Sequence, residues 1–156
     1  MANDKMTCAK CETLMRRVTR TKRVPVAGVE FEVTLPVYEC PKDESWIVPP
    51  EAHREMDRQV LQTIATHGPA TGKTLKFLRG ALKMKATELA VLVNVVPETL
   101  SRWETEAKPV SPLVWVTVAA MALDKLANRS TTLKRLHAAS LPTAPAQPIP
   151  LEVKVA

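Results

Sequence analysis

The chain has 156 residues, 22 Lys and Arg against 16 Asp and Glu, a net charge of +6 and 46% hydrophobic residues, enough for one domain or two small ones. No apolar run reaches the length a bilayer requires, and the opening MANDKMTCAKCE lacks the apolar stretch of a secretory leader, so a cytoplasmic protein is expected. Three cysteines, two of them close together in CAKC, argue against a closed disulfide set and for metal chemistry.

In chain order, Cys8 and Cys11 come first, with the two-residue spacing that lets both thiolates reach one tetrahedral metal. Cys40 returns a third thiol after the next segment, and Asp43 stands where a fourth cysteine would complete a four-cysteine site. Aspartate can ligate zinc, and Glu44 and His53 are further candidates. A redox-active CxxC would need a βαβ setting that these residues do not supply.

Between the cysteines, residues 14–26 and 29–40 read as strands, because Val29, Phe31, Val33 and Leu35 alternate with Glu30, Glu32 and Thr34. Ala27-Gly28 forms the bend. Two strands alone bury too little surface, so a staple, a partner or a third element is expected.

A helix then starts at Pro49-Pro50 and runs to about His67, where Gly68-Pro69 stops it. The following GPATGKT, residues 68–74, looks like a nucleotide phosphate loop but is one residue short between Gly68 and Gly72, and it follows a helix instead of a buried strand. It reads as a hinge in which Thr71 caps the next helix. Helices follow at about 72–83, 86–93, 97–105, 111–127 and 131–138, and residues 139–156 form a proline-rich, flexible tail. No internal repeat is evident. The fold class is therefore α+β: a small β segment over 1–50, a linking helix over 51–69 and an all-α unit over 70–138.

The charge is placed unevenly. Residues 1–69 are balanced, whereas residues 70–137 carry 11 Lys and Arg against 5 Asp and Glu, the whole of the excess. A basic unit beside a neutral one suggests a polyanionic partner. Within it, Leu75, Leu78 and Leu82 form one apolar stripe, Leu89, Leu92 and Val93 a second, and Leu100 and Trp103 a third. Asn94 tolerates a left-handed turn, Pro97 suits a first helical turn and Ala90 lets two helices cross closely, which together predict a helix-turn-helix. Lys73, Lys76, Lys83 and Lys85 are placed for phosphate contacts. The helix over 111–127 is too apolar for a lone surface element, so part of it is expected to form a two-fold interface.

KATELAVLVNVVPETLSRWE resembles the Xre/Cro type of helix-turn-helix. The resemblance implies that Pro97, Glu98, Thr99 and Arg102 reach base edges, and that Arg79 pairs with Glu104 as a structural bridge. Arg102 suits O6 and N7 of guanine, and Glu98 suits cytosine N4. Taken with CAKC, the strands and YECPKDES, residues 6–127 resemble the MqsA/YgiT family of antitoxins. That resemblance implies a zinc-ribbon-like domain holding structural Zn2+ through Cys8, Cys11, Cys40 and Asp43, and an Xre-type domain that dimerises on an inverted-repeat operator in double-stranded DNA. It also implies repression of transcription and neutralisation of a toxin, usually an mRNA-cleaving ribonuclease. The alternative is a protein-interaction module that sequesters a toxic enzyme through its N-terminal domain, with DNA binding secondary. No nucleophile, base and oxyanion donor assemble from these residues, so no enzymatic activity is expected.

Overall fold

The computed structural model describes residues 5–141 together with Pro148, Pro150 and Glu152. Most of the expected flexible tail lies outside the described residues. Among the described residues the chain is α+β: a three-stranded antiparallel sheet, ordered β1-β2-β3, followed by six helices.

Strands β1 (Arg16–Val26) and β2 (Val29–Glu39) pair along their whole lengths, from Arg16 opposite Glu39 to Val26 opposite Val29. Ala27 and Gly28 close the hairpin with φ of 51° and 79°, the pair of left-handed residues a two-residue turn requires. Asparagine is usual at the first of these positions. Alanine fits here because this turn docks: Val26, Ala27 and Phe31 pack against the main hydrophobic core of the helices. Burying a polar amide there would cost more than the roughly 1 kcal/mol of left-handed strain on alanine. The third element expected from the sequence is β3 (Trp46–Ile47), which pairs with Tyr38 and Glu39.

Helix α1 (Pro50–His67) has Pro49 at its cap and Pro50 at its first position, and ends at Gly68. Its apolar face, Val60, Ile64 and Ala65, enters the core. Then come α2 (Gly72–Ala81), α3 (Ala86–Leu92), α4 (Pro97–Glu104), α5 (Pro112–Leu126) and α6 (Thr131–Ser140). Their ends shift by a residue or two from the sequence reading, as frayed helix termini do. Leu75, Leu78, Leu89, Leu100, Val118 and Ile64 are fully enclosed and form the centre.

The GPATGKT stretch is used for architecture. Thr71 and Thr74 cap α2 reciprocally, each side chain meeting the other's backbone N–H. Thr74 is fully buried; its hydroxyl donates to the Pro69 carbonyl at 2.6 Å and accepts from Trp115 Nε1 of α5 at 3.0 Å. Gly72 is enclosed against the Trp103 carbonyl of α4.

Helix α5 is enclosed mainly by its own chain. Its apolar residues Trp115, Val118, Ala119, Met121 and Ala122 are buried within this chain, where α5 packs against α1, α2 and α6. Composition shows that a helix is enclosed, but not by which chain. Only its first turns stay open, with Leu113 76% and Val116 59% exposed.

Candidate metal centre and nucleic-acid interface

At the open end of the hairpin the chain makes the same turn twice. The Cys8 N–H donates to the Thr13 carbonyl at 2.9 Å and the Glu12 N–H to the Cys8 carbonyl at 2.9 Å. In the second turn the Cys40 N–H donates to the Ser45 carbonyl at 2.8 Å and the Glu44 N–H to the Cys40 carbonyl at 3.1 Å. Glu12 and Glu44 both take left-handed φ, 55° and 56°. The sequences align as CAKCET with CPKDES, so the chain does hold an internal repeat of six residues, from Cys8 and from Cys40. Asp43 occupies the place of Cys11, and Ser45 that of Thr13.

The turns converge. The Sγ atoms of Cys8, Cys11 and Cys40 lie within 4.8 Å of one another, a possible metal site, with Cys11 and Cys40 3.4 Å apart. Asp43 stands at the edge of this group. Its Oδ2 is 3.6 Å from Cys8 Sγ, while its Oδ1 accepts from the Ser45 hydroxyl at 2.6 Å and the Ser45 N–H at 3.1 Å. The Thr13 hydroxyl sits beside Cys11 Sγ at 3.3 Å in the matching position. Each second position of the repeat is thus oriented by a hydroxyl two residues on, the kind of outer contact that aims metal ligands.

The local electrostatics favour anionic ligands at two positions. The Ser45 hydroxyl and the Cys40 thiol hold the Asp43 carboxyl well below the usual carboxylate range. The Thr13 hydroxyl, its backbone N–H and Cys40 bring the Cys11 thiol down to about 7. Burial pushes the Cys40 thiol up to about 11. Three thiols in mutual reach can hold a metal ion, and Asp43 stands at the edge of the group, outside it. His53 is engaged elsewhere, with Nδ1 3.5 Å from Asp57 on exposed α1, and Glu44 lies outside the mutual thiol group.

The second assembly is built from α3 and α4. Asn94 takes the left-handed conformation, φ 55°, and the Val95 N–H returns to the Ala90 carbonyl at 2.9 Å. Ala90 is fully buried at this corner, and Pro97 occupies the first turn of α4. Arg79 on α2 ties the unit together. Its Nε and Nη2 donate to Glu104 at 2.6 and 2.9 Å, and its Nη1 to the Met84 carbonyl at 2.8 Å. The two side chains are only 15% and 9% exposed.

Pro97, Glu98, Ser101 and Arg102 line a shallow depression on the outer face of α4. Thr99, expected among them, is half-buried on the flank, and Leu100 and Trp103 turn toward the core. Ser101 is the residue the sequence reading missed; its spacing from Pro97 and Arg102 on an eight-residue helix places it on that face. Lys83 and Lys85 are exposed in the turn between α2 and α3, and Lys76 is exposed on α2. Lys73 is placed differently. Its Nζ lies 3.8 Å from Glu106 and its side chain lies beside the hairpin turn at Gly28, so it is the least available of the four lysines.

No helix among the described residues is long and apolar enough to cross a membrane. No protein-family model matches the chain, and comparison with curated proteins finds no relative.

Proposed function

We propose that this chain is a sequence-specific, DNA-binding transcriptional repressor of the antitoxin type, in which α3 and α4 act as a helix-turn-helix of the Xre/Cro kind. The observation that carries the reading is the outer face of α4, where the side chains of Glu98 and Arg102 stand exposed without a bonding partner among the described residues. An arginine displayed in this way can make two parallel bonds to guanine, and the exposed Lys76, Lys83 and Lys85 can neutralise phosphates. The proposed complex is a homodimer on an inverted repeat in double-stranded DNA, with half-sites about 34 Å apart.

Arg102→Ala is the direct test. Selection of bound duplexes from a random pool should give a defined site for the native chain, and the variant should lose about 1–3 kcal/mol on it and relax preference at one base pair. An unchanged selected sequence removes Arg102 from the readout.

We further propose that the two repeated turns form a zinc ribbon in which Cys8, Cys11, Cys40 and Asp43 hold one structural Zn2+. The repeat itself supports Asp43 as the fourth ligand, since it stands where Cys11 stands in the first turn. Metal analysis of the native chain should find about one zinc per chain, and Cys40→Ser should lose it. A native chain that folds without metal would overturn this assignment.

A second reading, a module that sequesters a toxic enzyme through the sheet end, draws on Trp46. Its ring is part-exposed beside β1, with Lys22 Nζ 5.3 Å and the Arg20 guanidinium 6.0 Å from its centre, a surface suited to a protein partner.

A further inference from the structure

Val96 occupies the position immediately before α4, where Ser, Thr, Asn or Asp would stabilise the helix by about 1 kcal/mol. It makes no side-chain cap and is 59% exposed. Beside it Pro97, also exposed, has no N–H, and the Thr99 and Leu100 N–H groups are both taken by the Val96 carbonyl. This end of α4 is therefore an apolar edge with few free donors, and the next residue, Glu98, is an exposed carboxylate. Phosphate is the wrong ligand for it: the helix end offers little to donate and Glu98 repels it.

An apolar group is the right one. In the major groove the base edges display donors and acceptors throughout, with a single apolar feature, the C5 methyl of thymine. We propose that Val96 and Pro97 form a thymine-methyl contact, which makes Val96 a specificity-determining residue for the DNA reading above, on which this inference rests. Pro97 and Arg102 are five residues apart on α4, about 7.5 Å along its axis. At 3.4 Å per base step, the thymine lies within about two base pairs of the guanine read by Arg102.

The test uses deoxyuridine, which lacks the methyl and is otherwise thymine. After a site has been selected from random duplexes with the full chain, each thymine of one half-site is replaced singly, and affinity is measured by fluorescence anisotropy at fixed ionic strength. For the native chain, one replacement, within two base pairs of the position relaxed by Arg102→Ala, should weaken binding about fourfold, the factor expected for one buried methyl. Val96→Ser supplies the missing helix cap, so it should fold at least as well, yet bind thymine and deoxyuridine duplexes alike. Equal binding of both duplexes by the native chain at every position overturns the proposal, as does a fourfold preference that survives in Val96→Ser. A random pool that yields no enriched sequence would instead remove the DNA reading, and this inference with it.

Discussion

Glu104→Ala is expected to lower stability by about 3–5 kcal/mol, because it leaves the Arg79 guanidinium charged and enclosed without its carboxylate. The native pair is bidentate and nearly sealed from water, at 15% and 9% exposure, and Arg79 is held there by the Met84 carbonyl as well. Solvent cannot easily replace the missing partner. Urea or thermal unfolding followed by circular dichroism should show the loss, with a melting temperature lower by about 10 °C. The double replacement Arg79→Met, Glu104→Leu separates two ideas about this bridge. If the cost lies in the stranded charge, the double variant recovers most of the stability, since apolar pairs of similar volume commonly replace buried ion pairs without loss. A double variant as unstable as the single one would show instead that the geometry of the bridge, linking α2 to α4, is what matters.

Gly72→Ala is expected to cost about 3 kcal/mol, a large effect for one methyl group. A Cβ at this position would fall far inside contact distance of the Trp103 carbonyl. The obstacle is backbone, so no rotamer change relieves it. Helix α2 and the end of α4 must separate, which also disturbs the Thr74 hydroxyl that links Pro69 to Trp115. Gly80 is the internal control: its Cβ would meet nothing within 4 Å, so Gly80→Ala should be neutral or slightly stabilising in α2. Equal melting temperatures for the two variants would refute the packing argument.

Much of this could be read from the sequence, and the reasons are specific. The helices of the second half announce themselves by leucines at 3.6-residue spacing, and Asn94 marks a left-handed turn because few other residues tolerate one. The three thiols are legible because spacing alone brings Cys8 and Cys11 together. What escaped notice was the correspondence of CAKCET with CPKDES, since a carboxylate in one and a thiol in the other disguise it. The residues that repeat, a left-handed glutamate and then a hydroxyl, set the shape of the turn more than its ligand. Thr99 misled because a helix of eight residues has only a narrow outer face, and its position falls on the flank. The burial of α5 within its own chain was beyond any local pattern, because it depends on which helices lie beside it.

The docking of the Ala27-Gly28 turn into the helical core fixes a length. From that turn back to Cys40 the strand β2 extends for 11 residues, about 36 Å at the usual rise, and its far end carries the thiols. Helix α1 flanks β2 along this length, so the hairpin acts as a braced ruler. That length is about one full turn of duplex DNA. On the reading proposed above, a partner at the cysteine end would sit well apart from the turn that anchors the hairpin to the helices.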